Sequence, residues 1–226
     1  MASTSRREAY SAGSDADVLP LLLTVGHGTA TAAEFLKLLE VARVQALVDI
    51  RSVPGSRHNP QFARRALEQW LVGAGVGYRW EVGLGGFRRG KPDSAHLGLH
   101  HPAFRSYADY METPVFVAAV DQLLEEAGER TTAVMCAETL WWRCHRRLLA
   151  DHLVLVRKVS VLHLDHRGHM SPHVPTAGAV VVHQALVYGL PPVFRLPVDI
   201  VPRHGIRGRQ GASGGPGPST TTPGVG

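Results

Sequence analysis

The stretch Ala46-Leu47-Val48-Asp49-Ile50-Arg51 decides the reading of this chain. Its apolar run is too short for a globular helix, carries no polar alternation, and ends on a charged Asp-x-Arg pair before Pro54-Gly55 breaks it. Such a run fits a strand buried on both faces, as in a parallel sheet. Working outward, Leu21–Val25 is a second run of this kind, ending at Gly26-His27-Gly28, and Thr132–Cys136 is a third, followed by Ala137-Glu138. Gly77–Trp80 and Val159–His163 add two more, and Val180–Tyr188 a late strand or hairpin.

Helical patterns lie between them. Thr31 and Glu34 have the spacing of a capping box, and Phe35, Leu38, Leu39 and Ala42 then share one helix face. Residues 62–73 repeat the pattern with Phe62, Ala66, Leu67, Trp70 and Leu71, and residues 115–127 and 145–155 complete the set. Strands alternating with helices predict an α/β fold: a mostly parallel sheet flanked by helices, three-layer and Rossmann-like. Residues 83–101 form a Gly-, Arg- and His-rich loop, longer than a compact connection needs.

The 226 residues suffice for one core, so residues 18–202 are expected to form a single α/β domain. Residues 1–17 and the Gly/Pro/Ser/Thr-rich 203–226 cannot bury a core and are expected to be disordered. The net charge of +5 permits a polyanionic partner without requiring one. Apart from Lys37, Lys91 and Lys158 the basic residues are arginines, whose forks match phosphate and carboxylate, although a GC-rich genome gives the same bias. Two cysteines, Cys136 and Cys144, offer no disulfide framework and suit a reducing compartment. Arg6-Arg7 ahead of Val18–Val25 superficially resembles a twin-arginine signal, but the apolar run is short and Asp15 and Asp17 precede it. Cytoplasm is expected, with no membrane partner.

Ligands of open parallel sheets sit beyond the carboxyl ends of the strands. Those ends deliver His27, then Asp49 and Arg51, then Cys136 and Glu138 to one edge. Arg51, Ser56 and Arg57 stand on one turn and could hold a phosphate or carboxylate. Arg143-Cys144-His145-Arg146 opens a helix, where free N–H groups favour an anion and a thiolate. Cys144 can therefore be a nucleophile, a redox thiol, a ligand or a packing residue; Glu138 can be a general acid/base or half of an ion pair. Zinc would need Cys136, Cys144, His145 and one of His163, His166, His169 or His173, and neighbours such as Cys144 and His145 seldom reach one ion. No metal site is assigned from the spacing, and the sequence requires no cofactor.

The ordered set Thr24-Val-Gly-His27, Leu47-Val-Asp49-Ile-Arg51, Pro54-Gly-Ser56-Arg57, Asn59-Pro-Gln-Phe62, Leu84-Gly85-Gly86, Met135-Cys-Ala-Glu138 and Cys144-His145-Arg146 resembles the domain-of-unknown-function family 488. The resemblance runs over about residues 22–188, with a His-Pro-x-Thr-like element around His173 and Thr176. Family members usually carry a proline ahead of Cys-His-Arg where this chain has Leu140-Trp141-Trp142. The family name states no activity.

Three readings of function follow. In the first, an enzyme hydrolyses a phosphate-bearing substrate, a nucleotide or nucleic acid. Asp49 or Glu138 is the base or charge stabiliser, His145 or His27 the proton carrier, and Arg51, Arg57, Arg143 and Arg146 hold anionic oxygens with Ser56. In the second, a non-catalytic nucleic-acid-binding or DNA-repair accessory module stacks bases on Trp80, Trp141 and Trp142. In the third, a thiol or metal-dependent enzyme is centred on Cys144. The oligomeric state stays open.

Overall fold

The computed structural model describes residues 21–55 and 57–189. Ser56, the segments 1–17 and 203–226, and both expected domain boundaries lie outside the described residues.

Each apolar run that ends on a polar residue is a strand. In chain order the elements are β1 (Leu21–Gly26), α1 (Ala32–Val41), β2 (Ala46–Asp49), α2 (Arg64–Gly73), β3 (Gly77–Trp80), α3 (Pro102–Tyr110), α4 (Pro114–Glu129), β4 (Thr132–Cys136), α5 (Arg146–Leu155), β5 (Ser160–Leu164), β6 (Met170–Pro172), β7 (Ala179–Val182) and β8 (Ala185–Tyr188). Among the described residues β1 to β6 make one sheet in the order β3-β2-β4-β1-β5-β6. All of its pairings are parallel except β5 with β6, and β7 and β8 form the separate late hairpin.

Alternate strand residues serve opposite faces. Leu22, Val48 and Val134 pack with residues of α3, α4 and α5, whereas Leu23, Val25, Leu47, Ala133 and Met135 pack with α1 and α2. The sheet is thus the middle of three layers, an α/β Rossmann-like arrangement. The capping box is present: Thr31 Oγ1 accepts from Glu34 N at 3.2 Å while Glu34 Oε2 accepts from Thr31 N at 2.8 Å.

Two helices begin later than their patterns suggest. Residues 60–62 take a 3-10 turn, because Pro60 starts it and Ala63 is extended, so α2 opens at Arg64. Residues 141–143 take another, ahead of an extended Cys144 and the Arg146 start of α5. Helix α3 was not expected. Pro102 supplies its first turn, and the His101 side chain caps it by accepting from Ala103 N. Strand β6 was also missed, being three exposed residues paired only to β5. Helix α3 fixes the long loop through two phenols, Tyr107 Oη to Leu84 O at 2.9 Å and Tyr110 Oη to Gly83 O at 2.7 Å.

Candidate functional site at the carboxyl edge of the sheet

Strands β1, β2 and β4 are adjacent and parallel, so their carboxyl ends open on the same edge. Asp49, the last residue of β2, is fully buried. Its Oδ1 accepts from Arg51 Nε at 2.8 Å and from Arg51 N at 3.1 Å, and its Oδ2 accepts from Arg51 Nη2 at 2.5 Å and from Tyr78 Oη at 2.9 Å. This is a bidentate charge-assisted pair in a dry place. Arg51 also donates through Nη2 to Phe62 O at 2.8 Å, and its Nη1 lies 3.2 Å from His27 Nε2. Burial opposes the Arg51 charge, but the hydrogen bonds and attraction of Asp49 outweigh it, so its pKa is raised.

His27 stacks on Phe62 at 4.1 Å and gives its Nδ1 proton to Gly28 O at 2.9 Å, leaving Nε2 to accept from Arg51. Burial first, then the Arg51 charge, lowers its pKa to about 4, so the ring is neutral at physiological pH. Asp49, Tyr78 and His27 together hold one guanidinium at the floor of the edge.

The second half of the site is the connection from β4 to α5. Cys136 and Cys144 are both buried, and His145 stands beside them. His145 Nδ1 lies 3.9 Å from Cys136 Sγ and 3.6 Å from Cys144 Sγ. One donor atom from each of the three falls within 4.8 Å of the others. Neighbouring residues were expected to point apart here. They converge because Cys144 is extended (φ −118°, ψ 155°) while His145 is already right-handed helical (φ −60°, ψ −16°), so the chain turns between them.

Hydrogen bonding with Cys136 pulls the Cys144 pKa well down, with His145 and Arg146 assisting; the same hydrogen bond first, then burial and the Cys144 charge, push Cys136 up. Gly86 lets the imidazole in, for a Cβ there would lie 2.8 Å from His145 Nδ1.

Arg146 is buried and holds the loop rather than facing solvent. Its Nη2 donates to Glu138 O and to Thr139 O, and a side chain on Gly26 would overlap both Nη2 and the Glu138 carbonyl. It has no carboxylate partner among the described residues. Glu138 is exposed and its Oε1 accepts from Leu140 N at 3.1 Å; among the described residues it makes no ion pair.

Both halves meet in one cleft of about 320 Å³, whose lining includes Arg51, Cys136, Glu138, Arg143, Cys144 and His145. Its apolar walls are Val53, Ala103, Phe104, Ala137 and Phe87, the last almost fully exposed. A second depression of about 490 Å³ lies across the shared ridge of Arg51, Val53, Ala137 and Glu138, and takes in His27. Of the residues expected at the edge, Arg51, Glu138, Arg143, Cys144 and His145 face the cleft. Asp49 sits behind Arg51, Arg146 lies beneath the loop, and Arg57 is exposed and lines neither depression. Ser56 lies outside the described residues.

The histidines after β5 are not a plain polar loop. Asp151 Oδ1 lies 2.8 Å from His173 Nε2, His173 Nδ1 2.9 Å from His163 Nε2, and His163 Nδ1 2.6 Å from Thr24 Oγ1. Tyr188 Oη donates to Asp151 Oδ2 at 2.8 Å. This buried chain ties together α5, His173 just after β6, β5, β1 and β8. Asp151 was its visible signal: a carboxylate on the inward face of an apolar helix. His166 goes elsewhere, donating to Gly26 O at 2.6 Å, and His169 is exposed beside Asp165. Trp141 stacks on His163 at 4.0 Å, and Trp80 donates to Arg51 O at 2.8 Å with Arg64 over its ring.

A family profile described as Domain of unknown function DUF488 matches residues 31–153, more than half of the chain. The chain belongs to this family. The matched part of this DUF488 member is narrower than the motif resemblance; it holds both halves of the cleft but neither His27 nor the histidines beyond β5. Comparison with curated proteins gave no match, and comparison with solved structures gave none. No helix among the described residues is long and apolar enough to cross a membrane.

Proposed function

We propose that the protein is a hydrolytic enzyme whose reactive centre is the Cys136, Cys144 and His145 trio and whose substrate presents an anionic group to Arg51. The observation that carries this reading is the convergence of three nucleophilic or ligating side chains in one cleft that a positioned guanidinium also lines. Asp49 is not the base. Both of its oxygens are already engaged by Arg51 and Tyr78, and its work is to orient Arg51. Glu138 is the carboxylate that reaches the cleft mouth, and there it takes or returns a proton while the trio activates the nucleophile.

Arginine favours phosphate or carboxylate, and the apolar walls around Phe87 and Phe104 suit a flat body attached to it. A nucleotide combines both. The binding-module reading has less support, because the half-buried Trp80 and Trp141 are already engaged, by Arg51 O and Arg64 and by His163, and of the three tryptophans Trp142 is the exposed one.

The test is turnover across a panel of phosphate and carboxylate esters and amides. Glu138→Gln should lower the rate by about 100- to 10,000-fold, and Cys144→Ala by at least as much, with unchanged folding. Full activity in Cys144→Ala would overturn the reading.

A further inference from the structure

We infer that the Cys136, Cys144 and His145 trio is a binding site for one zinc ion whose fourth position opens into the cleft. The inference rests on the reading of that trio as the reactive centre, and says what holds it in working form.

Spacing is the first argument. Around a tetrahedral ion with Zn–S near 2.3 Å and Zn–N near 2.0–2.1 Å, donor atoms stand about 3.5–3.8 Å apart. His145 Nδ1 lies 3.6 Å from one sulfur and 3.9 Å from the other, and all three donor atoms fit within 4.8 Å. Both nitrogen–sulfur distances are within a few tenths of an ångström of those in a loaded site.

The imidazole supplies the second. Its Nε2 is buried with no hydrogen-bond partner, and the ring packs against Tyr107 at 5.1 Å. Nδ1 therefore makes the ring's specific contacts, and both of those are sulfurs. A disulfide between the cysteines would leave that nitrogen without a purpose; an ion uses all three donors. Two thiolates and an imidazole are a donor set that selects zinc among abundant divalent metals.

Charge is the third. Among the described residues, the buried Arg146 has no carboxylate partner and its Nε is unsatisfied. A buried guanidinium needs negative charge close by. Arg146 directly follows Cys144 and His145 in the chain, so its positive charge stands beside the trio. On binding, each thiol proton still present passes to solvent as a Zn–S bond forms.

The fourth position distinguishes a working site from a structural one. His163 and His173 belong to the Asp151 chain, His166 is held by Gly26 O, and His169 is exposed beside Asp165. None joins the trio. Three protein ligands with a solvent-facing fourth place are the arrangement of catalytic zinc, in which the ion binds a water and makes it a nucleophile near neutral pH. Glu138 lines the same cleft and would supply a carboxylate there.

The experiment uses the full chain, purified without chelator, with zinc measured by elemental mass spectrometry and cobalt(II) titrated as a spectroscopic substitute. About one metal per chain is expected, with the thiolate-to-cobalt absorption and the intense visible bands of a tetrahedral ion. Cys136→Ala and Cys144→Ala should each weaken zinc binding beyond the ~10- to 100-fold that loss of an outer-shell partner costs. Should either variant fail to fold, alkylation of the wild type decides: zinc should protect both cysteines from iodoacetamide, and chelation should expose them.

Alkylation unaffected by excess zinc, or a Cys136–Cys144 disulfide that after reduction takes up neither zinc nor cobalt, would overturn the inference. Protein that binds no zinc yet loses turnover in Cys144→Ala would overturn the zinc site while leaving the cleft assignment standing. A loaded trio with full turnover in Glu138→Gln and no dependence on Arg51 would support the zinc site and sink the assignment of function.

Discussion

Asp49 and Arg51 stand two residues apart on an extended chain, so their side chains leave the backbone on the same face. In the fold that places the acid against the arginine, whereas from the sequence alone Asp49 is a candidate base. Removing the acid tests its role. Asp49→Ala leaves a buried guanidinium without its counter-ion, and should lower unfolding free energy by about 3–5 kcal/mol in denaturant titration. The exposed Arg57 is the control, and Arg57→Ala should stay within about 0.5 kcal/mol of the wild type. Equal losses in the two variants would show that the Asp49–Arg51 pair carries no structural weight. Gly86→Ala is the matching test at the trio. Its Cβ would meet the His145 ring at 2.8 to 3.2 Å, so the imidazole must shift away from the sulfurs. Turnover should fall while thermal stability changes little; unaltered turnover would mean that the imidazole position does not matter.

Elements that carry their own period were readable from the chain. The capping box of α1 is local, and β1, β2 and β4 are apolar runs with polar ends, so each announces itself in a few residues. Helix α3 did not, because it begins on a proline in a Gly- and His-rich context and is held by phenols reaching the distant Gly83 and Leu84 carbonyls. The buried chain from Asp151 to Thr24 joins α5, His173 just after β6, β5 and β1, and no window of sequence contains it.

It does have a consequence for pH. His163 is lowered to about 3, by burial first and then by His173 and Arg146; His152 is lowered to about 4, mainly by burial. Folded values below the unfolded value of about 6.5 mean that the unfolded chain takes up protons first as pH falls. Their contribution to stability is complete above pH 6.5 and drains away as pH drops toward those folded values. Melting temperature should therefore decline from pH 7 to pH 4, and His152→Gln should make that decline shallower. An unchanged slope in the variant would contradict the assignment of His152 as a buried neutral ring.

At the scale of the molecule, the sheet edge was legible because parallel strands share a carboxyl end, which placed Arg51, Cys136 and Glu138 together from the sequence. The division of labour along that edge was not. Whether Asp49 or Cys144 is the free group depends on Tyr78 from β3, on the turn at Cys144, and on Arg146 drawing the 137–145 connection under Gly26. These are tertiary contacts, and under the proposed function they move the chemical weight from the carboxylate pair to the sulfurs and imidazole.

The measurement that tests the central claim most directly is amide NMR of the full chain titrated with adenosine monophosphate, chosen because its phosphate suits Arg51 and its flat base suits the Phe87 and Phe104 walls. Saturable shifts confined to the amides around residues 51–53, 86–87, 103–104 and 136–146, and much reduced in Arg51→Lys, are the predicted result. Shifts centred elsewhere, or the same shifts in Arg51→Lys, would contradict the account.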